Sequence, residues 1–592
     1  MKKLFIIISC LYIVSCGNKE EVKDNSTTTD QNAHFDNYKE NFVEALWKLY
    51  PGWASGIGYH KYDSVLTIPN EENRKKLIAF AKANMDSLKS FDLNALSDNN
   101  KTDYYMMENS FKETEWSINT FRSFEWAPSN YNVCGEFAEM LNNNYDSLDV
   151  RLENFYLKMA KIPAYYEAAK QNIKNPTVEH TQLAIDQNLG GASVFSADID
   201  EALKKSKLSD EKKIEIKTRA TEAIKAITGY AAWLKNIDNK EPRSFRIGND
   251  LYKKKFEFDI QSGYTADQIY DKAVEHKKEL HEKMFAITKE LWPKYLNDKK
   301  MSEDKMIAIR EMIDVLSVKH VKPDSFQLAI EKQIPELVAF INKKDLITLD
   351  PTKPLVVRKE PAYMAGTAGA SISSPGPYDK NGNTYYNVGS MAGWDNARSE
   401  SYLREYNQYI LQILNIHEAI PGHYTQLVYS NQSPSIIKSI FGNGAMVEGW
   451  AVYTERMMLE NGYSAPEGSS EASPEMWLMY YKWNLRSTCN TILDNSIQTK
   501  NLSKEDAINF LMNEAFQQKA EAEGKWKRAT LSQVQLCSYF TGYSEIYDLR
   551  EELKKKQGDK FNLKAFHEKF LSYGSAPVKL IRQLMMADNS KL

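Results

Sequence analysis

The segment from Tyr402 to Glu460 constrains the chain most, because HEAIPGH (His417 to His423) sets a proline and a glycine between two histidines. Upstream, Leu403, Tyr406, Ile410, Ile413 and Leu414 recur at three- and four-residue intervals. That is the pattern of an amphipathic helix whose buried stripe arrives at His417 and Glu418. Pro421 has no N–H for a carbonyl one turn back, and Gly422 tolerates unusual dihedrals, so the helix must kink or bulge here. In a straight helix at ~100° per residue, His423 would point well away from His417. A bulge that absorbs two residues brings the imidazoles together.

Downstream, in VEGWAVYTE (Val447 to Glu455) and beyond, Glu448, Val452, Glu455 and Leu459 fall on one stripe of a helix. Two carboxylates thus alternate with apolar residues on a face expected to be buried, and buried carboxylates are rare unless paired or bound to metal. Metal hydrolases need two neutral imidazoles, a third ligand and a carboxylate that takes a proton from water. The usual helical form, HExxH, sets the histidines one turn apart, and the spacing here departs from it. With His417 and His423 as the imidazoles, Glu448 is the candidate third ligand and Glu455 the candidate for orienting a histidine. The alternative is a buried histidine–glutamate hydrogen-bond network in a helical core.

HEAIPGHYTQ followed by EGWAVYTE resembles the paired signature HE-x-x-PGH-x-x-Q and EGWA-x-Y-x-E of the bacterial family catalogued as "domain of unknown function 885". That family is assigned by similarity to zinc metallopeptidases of the gluzincin type. PGWASGIGYHKYD, RLENFYLKMAKIPAYYEAAKQNIKNP, FRIGNDLYKKKF and KFNLKAFHEKFLSYGSAPVKLI extend the resemblance over nearly the whole mature chain. It implies His417, His423 and Glu448 as Zn²⁺ ligands, Glu418 as the base, and hydrolysis of peptide bonds. KRATLSQVQLCSYFTGYSEIYDLR is similar to the family's RY-x-x-x-PGQA-x-x-Y-x-x-G at Arg528, Gln535, Tyr539 and Gly542, with Gln533 and Val534 replacing Pro-Gly. Tyr539 is placed there against the developing oxyanion, and Arg528 either steadies that charge or binds a substrate carboxylate; a packed tyrosine with a satisfied hydroxyl is the alternative. Where the family often reads DTG-x-H, this chain has Asp494-Asn-Ser-Ile-Gln498, and Gln498 cannot be a cationic partner. Two rivals to a peptidase are a non-catalytic helical lipoprotein that captures nutrients for a transporter, and a family member with a decayed site.

The chain opens MKKLFIIISCLYIVSCGNKEE, two lysines before an apolar run too short to span a bilayer comfortably. This resembles a bacterial lipoprotein signal, with residues 1–15 removed and Cys16 lipidated, which anchors the protein to the membrane in the cell envelope; a transmembrane anchor is the alternative. Residues 16–33 read as a polar tether, and 34–592 as a helical metallopeptidase-like domain with halves at about 34–265 and 266–592. With 76 basic and 79 acidic residues and a net charge of −3, nothing points to nucleic acid or anionic lipid. Cys134, Cys489 and Cys537 remain after processing, an odd number that does not indicate a disulfide framework.

The fold class expected is mainly α. Helical patterns run over Leu77–Lys89, Leu152–Lys174, Asp210–Lys235, Ala266–Trp292, Glu303–Leu316, Asp324–Ile341 and Met476–Gln498. His276 and His281 lie among lysines and glutamates, on what reads as a solvated face. Asn381-Gly382 before Thr384–Val388 predicts a hairpin with a tight turn. Its edge strand, beside the HE-PGH helix, is suited to holding an extended peptide; a glycine-rich surface loop is the alternative.

Overall fold

Ser209, Thr265, Asn407 and Asn443 each stand just before a run of helix formers, and each side chain accepts a backbone N–H of the helix that follows. In the computed structural model, which describes residues 25–360, 370–379 and 382–588, such runs make the chain mainly α with one small sheet. The signal segment and Cys16 lie outside the described residues. No helix among the described residues is long and apolar enough to cross a membrane.

Helix α1 (Asn25–Leu49) already includes residues 25–33, which the sequence assigns to a tether. Phe35, Phe42, Val43, Leu46 and Trp47 bury one stripe of it. A helix nucleated by that stripe propagates back through polar residues at small cost, and Asn32 Oδ1 accepts from Ser97 N (2.8 Å) and Asn100 Nδ2 (3.0 Å). The packing also divides differently from the expected halves. Buried apolar residues between Phe35 and Ala127, Leu66 apart, share one hydrophobic core with those from Ile247 to Met585, whereas Leu66 and those from Tyr131 to Leu234 close a second core.

Helix α2 (Ala266–Tyr295) lies along the later helix α7 (Pro474–Thr499). This corrects the reading of its histidines as a solvated face. His276 Nε2 meets Asn484 Oδ1 at 2.9 Å and His281 Nε2 meets the Glu514 carbonyl at 2.7 Å, so both are packed histidines with polar partners. The pattern Leu152–Lys174 is likewise two helices, Leu148–Met159 and Ile162–Asn172, the second opening with Pro163 in its first turn.

The sheet has the order β1 (Leu355–Lys359), β3 (Thr384–Val388), β2 (Ala370–Ser373), with β1 parallel and β2 antiparallel to β3. It lies beside the HE-PGH helix as expected, but Thr384–Val388 is its central strand, not an edge. Residues 374–383 separate β2 from β3; Asn381, half of the turn expected at Asn381-Gly382, lies outside the described residues. Val356 and Val357 of β1 and the Tyr385–Tyr386 pair of β3 are strand formers, and the buried Tyr386 donates to Asn415 Oδ1 (2.8 Å), tying the sheet to the site helix.

The single helix expected before His417 is two helices, α3 (Asn396–Glu405) and α4 (Gln408–Glu418). Asn407 is the reason: its Oδ1 accepts from Tyr409 N (3.1 Å) and Ile410 N (3.3 Å), starting a new helix. The apolar stripe survives the break, for Leu403, Tyr406, Ile410, Ile413 and Leu414 are all buried.

Candidate metal centre

Pro421 ends α4 outright instead of bulging it. The Ile420–Pro421 peptide is cis, and α5 (His423–Asn431) starts directly after Gly422. A Cβ on Gly422 would overlap the carbonyl oxygens of Ile416 and His417, so only glycine lets the new helix start this close to the old one. Trp450 Nε1 donates to the Pro421 carbonyl (2.8 Å) and fixes the link to α6 (Gly444–Glu460). The result brings His417 and His423 together, ring centroids 4.8 Å apart and nearly perpendicular at 87°.

Helix α6 supplies the carboxylates. Glu448 Oε2 lies 3.4 Å from His423 Nε2 and 3.8 Å from His417 Nε2. These are ion-pair separations without hydrogen-bond geometry, and Glu448 Oε2 is buried with no hydrogen-bond partner. Potential ligand atoms of His417, His423 and Glu448 all lie within 4.8 Å of one another. Two turns along α6, the fully buried Glu455 accepts at Oε1 from His417 Nδ1 (2.7 Å) and from Trp483 Nε1 (2.9 Å). The bond from Nδ1 to Glu455 sets the ring so that Nε2 of His417 faces Glu448. An orphaned carboxylate oxygen facing two imidazole nitrogens is a donor set that a divalent cation fits.

The charges hold one another. Burial raises Glu448, but the two histidines hold its carboxyl far below the usual range. Burial lowers His417, while Glu448 and Glu455 push it up to about 10. Glu418, the last residue of α4, is pushed up by burial against the pull of His423 and His417.

Tyr539, at the start of α9 (Ser538–Gln557), faces the cluster from the other side, its ring 6.5 Å from that of His417 and nearly parallel at 19°. Its hydroxyl oxygen accepts from Arg528 Nη2 (3.0 Å) on α8 (Lys519–Leu531), and the same Nη2 donates to Gln535 Oε1 (2.7 Å). Burial pushes the Tyr539 phenol up to about 12, so it stays protonated with its own hydrogen to give. All the residues singled out in the sequence as ligands, base, oxyanion donor and supporting groups therefore gather at the meeting point of α4, α5, α6, α8 and α9.

Gln498 does not join them. Its Oε1 accepts from Ile247 N (3.2 Å) and its Nε2 donates to the Ala529 carbonyl (2.9 Å), clamping the 247 segment and α8 to α7. The residue that sequence reasoning passed over is Asp494. Buried on α7, it accepts at Oδ2 from Tyr252 Oη (2.7 Å) and Val534 N (2.8 Å). Val534 sits at φ +72°, a left-handed conformation that costs a β-branched residue about 1–3 kcal/mol. The signal was present: Val534 stands where the resembled pattern has glycine, and a buried aspartate holds the turn that leads into Tyr539. Trp483, which shares Glu455 with His417, also carried no signal beyond its aromaticity.

Solved structures that resemble the fold include the following two. A protein described as a "putative lipoprotein of unknown function" from Shewanella oneidensis shares 56% identity, with 93% of this chain and 99% of that one covered and a TM-score of 0.83. A "putative lipoprotein" from Colwellia psychrerythraea, at 17% identity, shares the fold with a TM-score of 0.75 over 95% of this chain and 99% of that one. No curated protein matches. The family model described as "Bacterial protein of unknown function (DUF885)" matches residues 51–585, so the chain belongs to that family.

Proposed function

We propose that the chain is a zinc-dependent hydrolase of peptide bonds, anchored in the bacterial cell envelope through a lipid on Cys16. The observation that carries the hydrolase reading is the convergence of His417, His423 and an orphaned Glu448 oxygen on one point, with Glu418 adjoining and Tyr539 opposite. The anchor rests on the opening sequence and on the description of the 56% identical relative as a "putative lipoprotein". His417, His423 and Glu448 would hold the Zn²⁺. When bound, the ion supplies Lewis acidity, polarising a carbonyl and lowering the pKa of water at the site to about 7.

The protein's own groups do the rest. Glu418 takes the proton of the attacking water and delivers it to the leaving nitrogen. Tyr539 donates its hydroxyl hydrogen to the developing oxyanion, while Arg528 holds the phenol in place. Glu455 fixes the ring of His417 so that Nε2 faces the ligand cluster. Strand β2, which among the described residues pairs with β3 alone and packs against α4, offers main-chain groups to an extended peptide.

Purified mature protein is expected to carry one zinc per chain and to cleave members of a mixed peptide library, with cleavage abolished by a chelator and restored by zinc. Absence of stoichiometric metal, or cleavage that ignores the chelator, overturns the reading. Glu455→Gln is expected to weaken zinc affinity roughly 10- to 100-fold, read by chelator competition. Unchanged affinity would assign Glu455 to packing alone.

A further inference from the structure

Four cations of α7 and α8 are unevenly paired. Lys482 is bonded to Glu405 (2.6 Å) and Arg486 to Glu521 (2.5 Å), and the buried Lys525 also lies 3.8 Å from Glu521. Arg528 differs. It is half-buried, among the described residues no carboxylate lies within ion-pair distance of it, and its hydrogen bonds run from Nη2 to two neutral oxygens, those of Gln535 and Tyr539. Two glutamates therefore serve three of these four cations, and the fourth has none.

A guanidinium withdrawn from water without a counter-ion is unfavourable, and its planar fork matches a carboxylate in a bidentate pair. The position narrows what that carboxylate belongs to. The Arg528 guanidinium carbon lies 5.7 Å from the Tyr539 ring centroid, which is 6.5 Å from that of His417. At ~3.3–3.6 Å per residue of extended chain, the guanidinium is within about four residues of a peptide bond held at the histidines.

Resting on the hydrolase reading, we infer that Arg528 binds the free C-terminal carboxylate of the substrate, so that the enzyme acts on short peptides or trims longer ones near their C-termini. The class of substrate is a peptide acid; an internal bond in a long chain lacks the anion that this site is short of. Arg528 is then a specificity-determining residue, and Tyr539 beside it is the catalytic donor.

The test uses short N-acetylated peptides in matched free-acid and amide forms. Zinc-loaded wild type is expected to favour the acid by about 10²-fold or more in kcat/KM, since a site built to bond a group rejects the analogue lacking it. Arg528→Gln should bring the ratio near one and Arg528→Lys should restore part of it. Tyr539→Phe should lower turnover and leave the ratio intact, which a merely structural role for Arg528 would not produce. Calorimetric titration of Glu418→Gln, with and without zinc, reads the same preference without turnover. Acid and amide cleaved alike, or bound alike by Glu418→Gln, overturn the inference while leaving the hydrolase in place. Acid-selective binding with no cleavage of any peptide by the wild type would uphold the carboxylate site and sink the hydrolase.

Discussion

Glu418→Gln is expected to retain zinc at full stoichiometry and to lose about 10²- to 10⁴-fold in turnover, the range that general acid–base groups supply. The two outcomes together are what identify a base. Glu418 is not among the residues whose donor atoms converge, so its replacement leaves the ligand set complete. Glutamine matches it in size and brings no charge into a site whose burial already pushes the Glu418 carboxyl up, so the fold tolerates a neutral side chain there. What glutamine cannot do is accept a proton. Because that proton moves only on the way to the transition state, kcat and kcat/KM should fall by similar factors. Glu448→Gln is the contrasting variant, expected to lose the metal itself, because an amide oxygen is a poorer donor than the carboxylate that His417 and His423 now hold ionised. A purified Glu418→Gln protein that turned over peptides at the wild-type rate would end the proposed mechanism.

How far the sequence carried depended on whether a signal was local. Burial of the stripe from Leu403 to Leu414 and of Val452, Glu455 and Leu459 followed from periodicity, because that pattern reports which side chains face the core. Periodicity says nothing about whether the backbone is continuous beneath it. The break at Asn407 came from one side chain capping two amides, and Pro421 separated two helices where a bulge was expected. Strand Thr384–Val388 was legible as a strand, but its central place was not, since strand order is set by which distant segment pairs with it. The histidines of α2 look solvated in a list of neighbouring lysines, yet α7 and the 514 loop cover them. Asp494 had only an indirect signal, the valine at position 534, because its partners, Tyr252 and Val534, are far away in the chain. The second core, of Leu66 and residues from Tyr131 to Leu234, has no composition of its own to mark it.

Gly542→Ala is expected to destabilise the protein by about 2 kcal/mol or more, although alanine is the better helix former by ~1 kcal/mol. Gly542 on α9 and Gly449 on α6 are where these two helices cross with backbone against backbone. A Cβ on Gly542 would overlap the Ala445 carbonyl and stand 2.8 Å from Gly449 Cα, and a Cβ on Gly449 would overlap the backbone of Gly542. Overpacking a core costs ~1–3 kcal/mol when side chains can yield; here the obstacle is main chain, so the helices themselves must separate. Gly524→Ala on α8, where a Cβ meets nothing, should instead be neutral or stabilising, and that contrast isolates the crossing from helix propensity. The crossing also links stability to chemistry. Glu448 and Glu455 ride on α6, and Tyr539 lies one turn before Gly542 on α9, so a methyl group that parts the helices draws the phenol away from the ligand cluster. Turnover should therefore fall even at temperatures where the variant is fully folded. The double variant Gly449→Ala/Gly542→Ala should cost less than the two single changes together, because helices already separated admit the second methyl more readily. Urea midpoints for the singles and the double decide it: strict additivity, or a Gly542→Ala protein as stable as wild type, would mean that this crossing does not set the spacing of the site.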